Sequence, residues 1–425
     1  MKNTKKKYTK KKNRHLHIHK KYKHNKTQKH HHKYSLKHHH KNPQKYNYNF
    51  QYVNPVMKKY EPIFTIIEPI DKAKQVLDFT LFRKLLGKYG LTECNQFTCM
   101  KSKIMFVWLN YDENSQHWLK RKYYNTEIYL QNSLTGMESI SNKDKLHLGL
   151  KSHFPEIYKK HISPSFLLNK TWKYPKEHNI YIARPINILD EKKEAGVMGV
   201  GYGGKDIIII HDNKTTENAK KLLDKYDNVL ISEYIKSPLL FKGYKFHIRT
   251  FLLASIINGK FKTHVLDFGR IFTAREKYKQ SDWDNSDIHD THMKSTVKDW
   301  FFPKDFTNEN ISSLSGEGSS NLLTGNIFEI VYDIFKQIHN IFNSVSKLLE
   351  ETAGIYENVK NGFNIFGIDL MIKDDFTVIL IECNSEGTYK SKEPETHKKI
   401  EEIIFNWVDK VILSQVFNTK NKNYN

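Results

Sequence analysis

Residues 363–372 read FNIFGIDLMI and residues 377–382 read TVILIE, with Lys373-Asp374-Asp375 between them. Two apolar runs separated by a polar turn are expected to form a β-hairpin inside a core. Into this apolar background the chain sets Asp369 on the first strand, and Glu382 and Asn384 at the end of the second. A carboxylate beside a core is expensive to bury without a partner. A hard divalent cation satisfies all three as oxygen ligands, with phosphate oxygens completing its shell. Pairing with Arg or Lys, or a position facing solvent at the strand ends, satisfies the two carboxylates equally well.

Upstream, the segment 243–249 reads GYKFHIR. Lys245, His247 and Arg249 alternate with Phe246 and Ile248, so a strand here turns three basic side chains to one face and two apolar ones to the other. Such a face suits a triphosphate, or the charge that develops on a transferring phosphoryl group. Arg270 closes the next strand, read as Phe261–Phe268, and is placed to join them. Between these strands and the hairpin, Ile327, Val331, Ile334, Ile338, Ile341, Val345 and Leu348 recur at three- and four-residue steps. That spacing predicts a long amphipathic helix over 327–351 able to cover a sheet. Residues 303–325, largely polar and rich in Ser and Gly, read as a loop.

Gly196, Gly199, Gly201, Gly203 and Gly204 lie between a strand at Asn179–Arg184 and another at Asp206–Ile210. Glycines at this density let the backbone close around phosphates, and equally well make a flexible hairpin loop. No GKS or GKT follows, and a strand rather than a helix comes next, so neither a P-loop nor a dinucleotide fingerprint is present. Further strands are expected at Ile63–Ile67, Lys103–Leu109 and Asn228–Ser232. A helix through Leu81, Phe82, Leu85 and Leu86 and a final one over Glu395–Val416 complete the pattern.

The formal net charge is +23 over 425 residues, yet residues 1–45 carry 17 of the 69 Lys and Arg, and no Asp or Glu occurs before residue 61. The charge is therefore mainly a property of one segment. Residues 1–50 hold ten His and few apolar side chains, a composition that cannot repay the entropy of folding. It is expected to be disordered, and to meet an acidic partner: nucleic acid, an anionic membrane surface or an acidic protein tail. No apolar run is long enough for a transmembrane helix, and the N-terminus is too charged for a signal peptide. Three cysteines do not make a disulfide scaffold, so a cytoplasmic or other intracellular setting is expected.

The order and wording of these segments resemble the tubulin-tyrosine-ligase-like family of the ATP-grasp superfamily. The likeness runs from about Asn179 to Val411 and is carried by YIARP (181–185), LISEYIKSPLLFKGYKFHIRTFLL (230–253), HDTH (289–292), FGIDLM (366–371) and ILIECNS (379–385). It implies an α/β (α+β) chain with the ATP-grasp fold. Mixed and antiparallel sheets would be flanked by helices, with the nucleotide between two lobes. The expected divisions are a basic segment 1–50, an N-terminal lobe 51–175, a central lobe 176–240 with the glycine loop, a C-terminal lobe 241–416 and a polar end 417–425.

The same resemblance implies the roles of individual residues. Arg184 stands where the family has a phosphate-binding lysine. Gly199 and Gly201 belong to the phosphate loop, and Glu233-Tyr234-Ile235 is the adenine hinge. Lys245 and Arg249 match the family's KFDxR motif, with His247 in place of its Asp; Arg270 joins this catalytic set from its place on the neighbouring strand and not from the resemblance. His292 stands where an Asn is expected, and Glu386-Gly387 replaces a Pro-Gly. Asp369, Glu382 and Asn384 match the magnesium ligands, so ATP and Mg2+ are the implied cofactors. The implied reaction activates a protein carboxylate as an acyl phosphate and joins it to the amine of a free amino acid. In similar enzymes the acceptor is often an acidic tubulin tail, and the donor glutamate, glycine or tyrosine. Two other classes fit the residues: an ATP-grasp ligase with a small-molecule acceptor, and a non-catalytic relative that binds nucleic acid or an acidic protein.

Overall fold

The computed structural model describes residues 60–67, 79–94, 103–109, 126–175, 179–188, 206–291, 300–312, 326–385 and 394–417. The chain divides into Met1–Asn49 and Phe50–Asn425, and every described residue belongs to the second unit. In chain order the strands are β1 (Glu61–Ile67), β2 (Thr92–Glu93), β3 (Ile104–Leu109), β4 (Ile128–Gln131), β5 (Ser165–Leu167), β6 (Tyr181–Ile188), β7 (Ile208–Ile210), β8 (Tyr226–Glu233), β9 (Leu240–Phe241), β10 (Tyr244–Ile257), β11 (Lys260–Lys277), β12 (Trp300–Phe302), β13 (Ile311–Ser312), β14 (Val359–Ile372) and β15 (Val378–Asn384). The longer helices are α1 (Thr80–Lys88), α2 (Lys143–His153), α3 (Asn213–Lys221), α4 (Ile327–Glu350) and α5 (Pro394–Val408).

The hairpin expected from 363–382 forms as β14 and β15, which pair antiparallel with Asp369 opposite Glu382 and Gly367 opposite Asn384. It lies within an 11-stranded mixed sheet whose main path runs β12-β11-β10-β14-β4-β3-β1-β2. Pairing is antiparallel from β12 to β14 and parallel from β14 to β2. A second, four-stranded antiparallel sheet has the order β5-β8-β6-β7. This is the mixed α/β architecture, with helices against its sheets, that the sequence implied.

The central strands are apolar on both faces because both faces are covered. On β10 and β14 the side chains Phe246, Ile248, Leu252, Phe366, Ile368 and Leu370 join Ile334, Ile338, Ile341 and Val345 of α4 in one core. The opposite face carries Phe251, Leu253, Phe363 and Ile365, packed with Phe82 of α1 and Phe405 of α5. There Phe82 stacks on Phe405 at 4.7 Å and meets Trp108 edge-on at 4.8 Å. The α4 helix keeps the length its periodicity predicted, and Asn326 caps it by accepting from the Phe328 amide.

Two expectations need correction. The strand read as Phe261–Phe268 continues to Lys277, because β10 pairs with it along its whole length. Arg270 therefore sits within a strand instead of closing one. The stretch read as a loop from 303 contains a strand as well: Ile311 and Ser312 pair with Phe241 and Leu240. Residues 313–325 lie outside the described residues, as does the segment 1–50.

Candidate active site

The apolar face that packs on α1 and α5 occupies only one end of the central strands. Period-two alternation puts Lys245, His247 and Arg249 on that same face as Phe251 and Leu253. Register then adds the neighbours. Arg249 pairs with Asp369 on one side and Arg270 on the other, while His247 pairs with Phe272. One half of the face is core and the other half is charged.

The charges are buried and mutually engaged. Arg249 donates from Nε and Nη2 to the two carboxylate oxygens of Asp369, at 2.7 and 2.6 Å. The His247 ring lies flat on Phe272 at 5.0 Å, and its Nδ1 is 2.6 Å from Oγ1 of Thr291. Its Nε2 stands 3.8 Å from Asp369. Phe272 also carries the Arg270 guanidinium at 4.6 Å, a cation–π contact.

Lys245 is 4% exposed and donates from Nζ to the Tyr234 hydroxyl at 2.6 Å. That hydroxyl is 2.8 Å from Nδ1 of His289, whose Nε2 lies 2.7 Å from the Asp282 carbonyl. A carbonyl can only accept, so Nε2 of His289 carries the proton and Nδ1 accepts from Tyr234. The order of donation is then Lys245, Tyr234, His289, Asp282. Burial holds the Lys245 ammonium down to about 7, although Asp290 works in the opposite direction. Burial, followed by the nearby Lys245, holds His289 neutral with a pKa of about 4.

A cavity of about 370 Å³ opens between the two sheets, a size typical of small-molecule sites. Arg184, Lys245, Glu382 and the 233–235 segment all line it. Arg184 reaches it from β6, where its Nη2 donates to Ser232 at 2.8 Å and its Nη1 to the Ile381 carbonyl at 3.1 Å. Of the expected hinge, the amides of Glu233 and Tyr234 are committed to the Pro164 and Ile180 carbonyls, both at 2.9 Å. Glu382 pairs with Lys143 at 2.9 Å, and Asn384 donates to it at 3.1 Å.

Asp369 stands opposite Glu382 in the β14–β15 register, and Asn384 lies two residues beyond Glu382 on the same strand. In this structure the two carboxylates have cationic side-chain partners. Among the described residues no three His, Cys, Asp or Glu side chains gather closely enough to form a metal group by themselves. The donor set still fits a small hard cation, which commonly takes one or two carboxylates and completes its shell with phosphate oxygens. Gly199, Gly201 and His292 lie outside the described residues.

Several residues at this site went unnoticed in the sequence. Lys143 and His147 are one helical turn apart on α2 and both line the cavity. Their i, i+4 spacing was the available signal. Trp283, stacked on His289 at 5.4 Å, had none.

The model of the tubulin-tyrosine ligase family matches residues 199–423, and the chain belongs to that family. It is 30% identical over 224 residues to a probable tubulin–tyrosine ligase of Schizosaccharomyces pombe, covering 52% of this chain and 49% of the relative. A probable tubulin–tyrosine ligase of Saccharomyces cerevisiae is 25% identical over 55% of this chain and 30% of its own length. Tubulin glycylase 3C of Tetrahymena thermophila is 24% identical over 45% of this chain and 18% of its own. The chain thus spans about half or less of the length of the curated relatives it matches. No helix among the described residues is long and apolar enough to cross a membrane.

Proposed function

We propose that this protein is an ATP-dependent ligase that joins a free amino acid to a carboxylate of an acidic protein, with tubulin among the candidate acceptors. One observation carries the reading: Arg184, the 233–235 hinge, Lys245 and Glu382, far apart in sequence, line one cavity, and all but Arg184 fall within the residues the family model matches. Adenine would rest against Tyr234 and Ile235, read mainly by carbonyl groups, since two of the hinge amides already serve the fold. The phosphates would run toward Arg184 and Lys245; Gly199, Gly201 and His292 keep the roles the resemblance implies and lie outside the described residues.

In the reaction the acceptor carboxylate attacks the terminal phosphorus of ATP and releases ADP. The amine of the amino acid then displaces phosphate from the acyl phosphate, forming an amide. Lys245, Arg249 and Arg270 would neutralise charge as it moves between oxygens. Mg2+ would be held by Asp369, Glu382 and Asn384, and would supply charge neutralisation at the phosphates. For Asp369 to serve, Arg249 must share or release it. The basic segment 1–50 would raise the encounter rate with an acidic acceptor, an effect that salt screens.

The test is incubation with Mg-ATP and labelled amino acids, against tubulin and acidic peptides. Incorporation in the unaltered protein, lost in Glu382→Gln, is the expected result. ATP binding with no incorporation into any acceptor would overturn the ligase reading in favour of a silent relative.

A further inference from the structure

The cavity wall contains a buried imidazole that the protein holds only by a poorly aligned contact to the Ile381 carbonyl. His147 is 3% exposed, lines the cavity, and has no hydrogen bond of acceptable geometry at either ring nitrogen. Arg184, 7% exposed, lines the same cavity and leaves its Nε without an acceptor while both of its outer nitrogens are tied down. The two are neighbours: the Ile381 carbonyl that takes Nη1 of Arg184 also faces the His147 ring, and Arg184 is the principal charge acting on that ring. Buried donors without acceptors are rare in folded proteins and mark places where something else binds.

We propose that His147 is a ligand-binding residue, donating an imidazole N–H alongside the Nε–H of Arg184 to a phosphoryl oxygen of the nucleotide. The surroundings select an anion over an amine. Carboxylates also line the cavity and Glu382 pairs with Lys143, but the charges that act on the His147 ring are Arg184 and then Lys143, so beside this ring an ammonium group would be repelled and a phosphate attracted. A neutral imidazole is well matched to this position, because it supplies a donor without adding a third positive charge to a wall already crowded with them. Burial, then Arg184, holds His147 neutral with a pKa of about 3, against the pull of the Ile381 carbonyl, so its single N–H serves the ligand in the tautomer that turns it away from that carbonyl.

The inference rests on the proposed use of the cavity for ATP, and the test separates the two. Binding of ATP, adenosine and inorganic tripolyphosphate is measured on the full chain for the unaltered protein, His147→Leu and His147→Gln. His147→Leu should weaken ATP and tripolyphosphate about ten-fold or more, as for loss of a hydrogen bond to a charged group, and leave adenosine unchanged. Without ligand its melting temperature should hold or rise, because an unsatisfied polar group has been removed. His147→Gln, which keeps an N–H donor, should recover most of the binding. Equal ATP affinity in all three proteins overturns the subsite while leaving the ATP reading intact. Equal losses for ATP and adenosine, with a fall in melting temperature, also overturn it, since His147 would then be structural. Tripolyphosphate binding that depends on His147, without any binding of ATP or adenosine, supports the subsite and overturns the ATP reading. Failure of the unaltered protein to bind any of the three overturns both.

Discussion

Arg249 and Asp369 stand opposite each other on neighbouring strands, 120 residues apart in sequence, and share two hydrogen bonds of 2.7 and 2.6 Å. Both side chains are buried, with Asp369 1% exposed. A charge pair this deep gains little net stability, but removing one member strands the other.

Asp369→Asn is therefore expected to destabilise the fold by about 3–5 kcal/mol, quite apart from any loss of activity. Glu382→Gln removes the charge from the partly exposed pair with Lys143, keeps an oxygen for Asn384, and should cost on the order of 1 kcal/mol. Chemical denaturation of both variants measures the difference. The comparison decides which variant is the fair probe of magnesium dependence.

Lys245 makes the stability of the protein depend on pH. Its folded pKa of about 7 lies below the ordinary 10.5 of the unfolded chain. Between those values the unfolded state binds more protons, so stability rises as pH rises through that window. Below it, the full penalty of a buried ammonium is present. Denaturation midpoints followed from neutral to alkaline pH should climb in the unaltered protein, and climb less in Lys245→Met.

Tyr234→Phe removes the hydroxyl that joins Lys245 to His289. The loss should be about 1–3 kcal/mol, since a buried donor and a buried acceptor both lose their partner. A double-mutant cycle with His289→Phe should show coupling of about 0.5–3 kcal/mol, as for residues in one network. Additive losses would mean that the chain of donation does not act as a unit.

Gly136→Ala tests how the core is closed away from the site. Gly136 has φ +74°, and a Cβ there would stand 1.9 Å from the Thr352 carbonyl oxygen just after α4. Backbone strain alone costs about 1–3 kcal/mol, and the clash adds to it. Thermal denaturation should show a large drop, while ATP affinity measured well below the melting temperature should change little.

Much of the site was readable as pattern. The alternation of GYKFHIR was enough to put Lys245, His247 and Arg249 on one face, because strand geometry permits only two sides. The apolar runs around Asp369 and Glu382 marked the hairpin, and the stripe from Ile327 to Leu348 marked its covering helix. Misread boundaries came where the local sequence turns polar while pairing continues. Arg270 looked like an end, but the long β10 strand holds it within β11. His147 was marked only by its i, i+4 spacing from Lys143, and nothing in KDKLH reveals that a buried cavity faces it.

The sequence by itself determined which side chains share a strand face, and which family the chain resembles, because both are encoded in short-range order. Tertiary structure alone decided who meets whom across that face. Asp369 finds Arg249 through strand register, Glu382 finds Lys143 through the docking of a helix, and Tyr234 links two strands to a short helical turn. Those partners are set by long-range packing, which brings buried charges within reach of the groups that neutralise them. It also leaves the His147 ring and the Nε of Arg184 in the cavity wall without a well-aligned hydrogen bond.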